Sequence, residues 1–181
     1  MKMMAVGWNK PCLLWLALGV LPAGGSTSTG SQSLSATVCP VGSLSVPASA
    51  ALTTSATTFQ PFAGSITISY KARTTPAGAG NITLSITGGF APGGGPSVAA
   101  GALAYTCGGA TLGAACSGTQ TASTTSQTPV LALPAAACTG GGGACSTQNP
   151  NSVNLTFILA DDPGYATGAY SARVTFTISA T

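Results

Sequence analysis

The sequence predicts an all-β protein in which short strands form an antiparallel sandwich. Three observations carry this prediction. Apolar and polar residues alternate one by one in several short runs, which is the period of a strand with one buried face. Stretches rich in Gly, Pro, Asn or Asp separate these runs and are typical of turns. No segment shows the 3.6-residue apolar period of an amphipathic helix. Together they indicate about seven strands in two layers.

Seven runs have the pattern of a strand. In chain order they cover residues 42–46, 65–70, 81–86, 102–107, 128–133, 152–160 and 174–179. A short turn, TTPAGAG, joins the second and third runs, which therefore predict a hairpin. Pro129 lacks the N–H that a ladder hydrogen bond needs, so the fifth run is predicted at a sheet edge.

The last run has the strictest alternation. Val174, Phe176 and Ile178 are predicted to face the core, while Arg173 faces water. The sequence Asp-Asp-Pro-Gly at residues 161–164 is typical of a turn. We therefore expect the last strand to pair with residues 152–160 across this turn.

The N-terminus predicts export. Residues 1–25 have the composition of a signal peptide: Lys2 and Lys10 precede the apolar run CLLWLALGVL, which is too short to span a bilayer, and small residues follow it. Residues 26–36 predict a flexible N-terminal segment, and residues 37–181 the sandwich domain. The protein is therefore expected to be secreted, periplasmic or at the cell surface, with no transmembrane segment after signal removal.

Cysteine usage agrees with export, because an oxidising compartment favours disulfides. Spacing suggests pairing Cys107 with Cys116 and Cys138 with Cys145, with Cys39 unpaired or serving as an alternative partner. A zinc site of four thiolates is the other interpretation, but no C-x-x-C motif supports it.

Charged residues are so few that they exclude several functions. The chain has no His and no Glu, and its acidic side chains are Asp161 and Asp162 alone. The five cations are too few for a nucleic-acid surface. Without His, a Ser or Thr nucleophile has only Lys71 or an aspartate as its base, and Lys71 lies at a solvent-facing strand position. We expect no enzyme activity, no catalytic residue, no cofactor and no nucleic-acid partner.

Two binding hypotheses stay open. A weak calcium site is one: Asp161 and Asp162 supply carboxylates, and asparagines lie upstream at Asn149, Asn151 and Asn154. No residue is predicted to be a metal ligand. The other is a glycan or protein surface formed by loops. Trp8 and Trp15 lie in the signal peptide, so the aromatic side chains left to stack on a sugar are those of Tyr105, Tyr165 and Tyr170, unless Tyr170 is instead a buried corner residue.

The C-terminal residues resemble a known family. Gly168-Ala169-Tyr170-Ser171, followed by Val174, Phe176 and Ile178, is similar to the closing strand of the spore coat protein U and archaic chaperone–usher pilin family. That family's aromatic-glycine signature after the first cysteine is absent, since Cys39 is followed by Pro40, Val41 and Gly42. The resemblance implies an immunoglobulin-like antiparallel β-sandwich that lacks one strand, which a neighbouring subunit supplies by strand addition.

The resemblance also implies which residues would be exchanged. Residues 33–38 are the candidate extension, because Leu34, Ala36 and Val38 alternate with polar residues. The alternative is that they form the first strand of a self-contained domain. The expected function is a non-enzymatic exported structural or adhesive surface protein, a pilus-like fibre subunit that associates with itself or with a periplasmic chaperone and usher. The alternative function is a secreted module that binds a glycan or protein through its loops.

Overall fold

Strands are the only regular elements in residues 33–54, 58–138 and 150–181, which are the residues that a computed structural model of the chain describes. They are β1 (Val41–Ser45), β2 (Phe62–Arg73), β3 (Gly80–Ala91), β4 (Leu103–Gly108), β5 (Ala114–Ala115), β6 (Gln120–Thr121), β7 (Thr128–Leu133), β8 (Asn151–Leu159) and β9 (Ser171–Ala180). Residues Pro40–Thr181 form one compact unit. The all-β prediction is confirmed, with two very short strands added to the seven expected.

The strands form two antiparallel sheets. The five-stranded sheet has the order β1-β2-β8-β4-β6, and the four-stranded sheet has the order β5-β7-β3-β9. Apolar side chains from both sheets form a single core, as expected for a sandwich. Its most deeply buried members are Ile68, Tyr70, Ile82, Leu84, Tyr105, Val130, Val153 and Leu155.

The outer faces of the sheets carry short polar side chains that bond to one another across strands. Ser65 and Thr156 share a hydrogen bond of 2.9 Å between β2 and β8, and Thr67 donates to Asn154 at 2.8 Å. Thr87 and Thr175 form a similar contact of 2.9 Å between β3 and β9. These pairs give both sheets a wet face without the use of charge.

The predicted hairpin is wrong, because β2 and β3 belong to different sheets. β2 pairs with β1 and β8, whereas β3 pairs with β7 and β9. Residues 74–79 between them cross from one sheet to the other. Thr74 anchors this crossing: its buried hydroxyl donates to Pro134 O at 2.8 Å and accepts from Ala137 N at 2.8 Å. Turn composition predicted a reversal, but tertiary hydrogen bonds make it a sheet-to-sheet connection.

The predicted partner of the last strand is wrong for the same reason. β9 pairs with β3, with Ile178 opposite Ile82 and Phe176 opposite Leu84. β8 lies in the other sheet between β2 and β4. A turn does form there, one residue later than predicted, at residues 162–165: Tyr165 N donates to Asp162 O at 2.9 Å, and Gly164 N donates to Asp162 Oδ1 at 2.7 Å. The chain then continues across to the second sheet.

The edge position predicted for the Thr128–Leu133 strand is also wrong. This strand, β7, lies between β5 and β3. β5 pairs only with Leu131 and Ala132, so Pro129 lies beyond its end. On the other side, Pro129 lies opposite Thr83 at a register shift of the β3–β7 ladder. Its missing N–H is therefore tolerated inside the sheet.

Candidate functional site

An apolar groove opens between the two sheets at one end of the sandwich. Its volume is about 860 Å³. Residues 46–52 form one wall and β9 forms the other, through Ala172, Val174 and Phe176. Large apolar side chains of both sheets form its floor: Phe62, Ile66, Phe90, Leu103, Phe157 and Leu159. Leu103, Phe157 and Leu159 are buried there, whereas Phe62, Ile66 and Phe90 are only partly buried.

Burial along β2 shows how the core opens. Its inward-facing side chains share one side of the strand, yet they are not equally buried. Ile68 and Tyr70 are 0% and 1% exposed, whereas Phe62 and Ile66, nearer the start of the strand, are only partly buried. The same alternation continues through both halves, so the sequence pattern is that of a fully covered strand. What differs is the cover: Phe62 and Ile66 line the groove, whereas Ile68 and Tyr70 do not.

β9 presents an uncovered backbone edge to this groove. In an antiparallel ladder, alternate residues direct their N–H and C=O groups to opposite sides. Thr181 N donates to Ala79 O at 3.0 Å, so odd-numbered residues of the regular part of β9 point toward β3. The backbone groups of Val174 and Phe176 therefore point away from β3. No strand among the described residues pairs with β9 on that side.

The inner face of β9 is incompletely buried. Val174, Phe176 and Ile178 pack against the core as predicted, but each is only partly buried, and Arg173 is exposed as expected. Ile178 is covered by β1: a Cβ placed on Gly42 would lie 3.3 Å from Ile178 Cγ1. Only a glycine allows this close approach without displacement. β1 thus closes the groove at the Ile178 end, while Val174 and Phe176 remain open.

The connection between β8 and β9 lines the opposite end of the groove, away from Ile178, which we call its mouth. Asp161, Asp162 and Tyr170 are among its lining residues. Tyr170 donates its hydroxyl to Ala166 O at 2.6 Å, and its ring packs on Gly95, where an added Cβ would lie 2.3 Å from the ring. Ala166 N donates to Gly94 O at 2.8 Å. These contacts hold the two loops of the mouth together.

The candidate exchange segment, residues 33–38, has the properties expected of a strand without a partner. It forms no regular element, and its apolar side chains are exposed. Leu34 is 83% exposed and Val38 is 68% exposed, which places them among the four large hydrophobic residues that stand exposed in the described chain. Residues 33–39 belong to a different compact unit from the sandwich. Residues 1–32, which include the predicted signal peptide and cleavage site, lie outside the described residues.

The tyrosines proposed as a sugar platform do not form a common surface. Tyr105 is fully buried, and its hydroxyl contacts Thr128 Oγ1 and Pro129 O, both at 2.8 Å. Burial raises the pKa of the Tyr105 phenol, although the Thr128 hydrogen bond acts in the opposite direction. Tyr165 and Tyr170 line the groove instead, where both are partly buried. Tyr105 is therefore removed from the candidate ligand-binding residues.

The oxygen ligands considered for calcium are also separated. Asn151 and Asn154 lie at the start of β8, and Asp161 and Asp162 follow its other end. Asn154 Oδ1 accepts from Thr67, and Asp162 Oδ1 accepts from Gly164 N. Asn149 lies outside the described residues. Within the described ranges, no group of three or more His, Cys, Asp or Glu side chains is close enough to hold a metal ion.

The predicted disulfide between Cys107 and Cys116 is confirmed, with an S–S distance of 2.09 Å. It ties the end of β4 in one sheet to the residue after β5 in the other. Cys39 is disulfide-bonded, so the alternative that left it unpaired is wrong, and Cys138 is also disulfide-bonded. The predicted pairing of Cys138 with Cys145 stays a prediction, because Cys145 lies outside the described residues.

Sequence reasoning missed two residues of the groove floor. Phe62 and Phe90 were not among the predicted core residues, although each continues the alternation of its strand, Phe62 before Ile66 and Phe90 after Ile86. Continuing each strand past its glycines, Gly64 and Gly88, with the same face inward would have included both. Phe59, which is 61% exposed at the groove, has no comparable signal in the sequence.

Fold and groove together define the class: a two-sheet antiparallel β-sandwich whose last strand is an uncovered apolar edge. No protein-family model matches the sequence, and comparisons with curated proteins and with solved structures find no match. Across the described ranges there is no helix of the length and apolarity needed to cross a membrane.

Proposed function

We propose that the protein is an exported, non-enzymatic structural subunit that assembles by β-strand addition. In this proposal, residues 33–38 of one copy occupy the groove of a second copy and pair with β9. The observation that carries the proposal is the edge of β9: backbone groups at Val174 and Phe176 point away from the sheet, beside an apolar groove that exposes part of the core.

Such an exposed edge strand is unusual in a monomeric protein. Exposed edge strands are normally short, charged, interrupted by Pro or covered, because unpaired N–H and C=O groups are a template for another chain. β9 has ten residues, and from Val174 to Ala180 it contains no charged residue and no Pro. A strand added here would hydrogen-bond to β9 and cover the groove with its alternate side chains.

The length and pattern of residues 33–38 suit this edge. Six extended residues span about 20 Å, which is enough to cover the part of β9 from Ala172 to Phe176 that lines the groove, about 14 Å long. Leu34, Ala36 and Val38 would lie on the groove side, and Ser33, Ser35 and Thr37 on the water side. Burying two exposed large apolar side chains in an apolar groove is favourable by the hydrophobic effect.

Export and assembly are consistent with the remaining properties of the chain. The signal-like N-terminus and the Cys107–Cys116 disulfide suit an oxidising compartment. The family resemblance implies that a periplasmic chaperone protects the groove before assembly and that an usher directs the assembly. A fibre subunit of this kind needs no catalytic group, which agrees with the expectation from composition.

The test changes one position on each side of the donated strand. Leu34→Asp places a charge in the groove, whereas Ser35→Asp places the same charge in water and serves as the matched control. We expect wild type and Ser35→Asp to form multimers by size-exclusion chromatography and filaments by electron microscopy, and Leu34→Asp to stay monomeric. Hydrogen exchange should show slower exchange at the Val174 and Phe176 amides in the multimer. A wild-type protein that stays strictly monomeric contradicts the proposal.

A further inference from the structure

Two cationic side chains and the two carboxylates of the sandwich lie at opposite ends. Lys71 and Arg73 follow the part of β2 that pairs with the start of β8, since Tyr70 lies opposite Asn151. Asp161 and Asp162 follow the end of β8, where Leu159 lies opposite Phe62. The two groups are separated by eleven residue positions or so along the strands, about 35 Å. That separation exceeds the screening length of about 10 Å at 0.1 M salt, so these groups contribute little to each other within one copy.

The cationic end is where the chain enters the sandwich. Val41, the first residue of β1, lies opposite Arg73 in the β1–β2 ladder. Val38, the last residue of the candidate donor segment, precedes Val41 by three positions and so lies within about 10 Å of it. When residues 33–38 are donated to another copy, Lys71 and Arg73 of the donor therefore lie close to the part of the acceptor that binds Val38.

The shape of the groove determines which end of the acceptor binds Val38 of the donor. β1 covers β9 at Ile178, which does not line the groove, and the mouth lined by Asp161 and Asp162 lies at the other end. The body of the donor copy therefore lies beyond the mouth. The donated strand then has Val38 at the mouth and Leu34 deeper in the groove, and it runs antiparallel to β9.

From this placement, we infer that successive copies meet at an electrostatic joint. Lys71 and Arg73 of the donor face Asp161 and Asp162 at the groove mouth of the acceptor, and the partner is a second copy of this chain. The inference rests on the proposed function and adds to it the orientation of the copies and a salt-dependent contact. Arg173 lies near the same end as the aspartates, but it is exposed on the outer face of β9 and does not line the groove.

The joint predicts a specific pattern of charge reversal. The acceptor variant is Asp161→Lys with Asp162→Asn, because Asn keeps the side-chain oxygen that accepts from Gly164 N. The donor variant is Lys71→Glu with Arg73→Glu. Each variant alone opposes like charges at every joint. In an equimolar mixture, every joint between the two variants opposes unlike charges again.

Assembly is followed by light scattering on the full-length mature protein. At about 20 mM salt we expect each variant alone to assemble about tenfold more slowly than wild type, and the mixture to recover the wild-type rate. At about 500 mM salt the difference should fall below about twofold, because screening weakens the joint. Arg173→Gln is the control, since it changes net charge at a side chain on the outer face of β9 that does not line the groove. Thermal unfolding checks that each variant is folded.

The outcomes separate the two proposals. If wild type assembles with protected Val174 and Phe176 amides but folded charge variants assemble at its rate in low salt, the joint is overturned and strand addition stands. A mixture that remains as slow as its components also overturns the joint. If wild type does not assemble and its β9 amides stay unprotected, both proposals fall.

Discussion

Removing the disulfide between Cys107 and Cys116 should lower stability by an amount set mainly by the unfolded chain. The two cysteines are nine positions apart. Closing a loop of about ten residues removes chain entropy worth about 2.5–3 kcal/mol at about 25 °C. The folded loop keeps other contacts: Thr111 N donates to Ser152 O at 3.0 Å and Cys116 N to Val130 O at 2.9 Å. The native structure of the loop should therefore survive the loss of the bond.

The assay is urea unfolding, followed by circular dichroism, of Cys107→Ala with Cys116→Ala. Chemical reduction is unsuitable because Cys39 and Cys138 are also in disulfides. With an ordinary dependence on urea, the midpoint should fall by roughly 1–2 M. Ser117→Ala, which alters an exposed neighbour, should leave it unchanged. An unchanged midpoint in the double variant would refute the loop-entropy argument.

Two further predictions concern tyrosines. Burial raises the pKa of Tyr70 and of Tyr105, with hydrogen bonds acting in the opposite direction, so the unfolded state loses these protons first. The free energy of unfolding should stay constant below about pH 10 and fall as pH rises through the folded pKa values. Urea midpoints measured between about pH 9 and 11 would show this fall. A Tyr105→Phe variant with an equally steep fall would exclude a contribution from Tyr105. Gly95→Ala should destabilise the protein by about 1–3 kcal/mol, because the added Cβ would lie 2.3 Å from the Tyr170 ring. Gly89→Ala is the control, since its added Cβ meets nothing within 4 Å. Equal thermal stability of the two variants would contradict this prediction.

Strand positions and strand faces were predictable because they depend on local chemistry. An alternation of period two specifies which side of a strand meets the core, whatever its partner. β2, β3, β4, β8 and β9 accordingly lie within a few residues of their predicted bounds, and Val174, Phe176 and Ile178 face the core. The disulfide between Cys107 and Cys116 was also predictable, because the two cysteines are close in the sequence and a short loop keeps them together.

Strand partners were not predictable in the same way. The connections after β2 and after β8 contain turn residues, and a turn sequence looks the same whether the chain returns beside its own strand or crosses to the other sheet. Both crossings depend on distant contacts, such as Thr74 with Pro134 and Tyr170 with Gly95. The sandwich was therefore foreseen, while its pairing was not.

The sequence by itself determined that this chain forms strands, which faces of them are apolar and how little charge they carry. Only the tertiary structure decided that β9 is an edge strand, that β1 covers it at Ile178 but not at Val174, and that Asp161 and Asp162 line the groove. The physical reason is that alternation records the side of a strand that is apolar. Whether that side is covered depends on which strand lies opposite, and this is fixed by contacts between residues far apart in the chain.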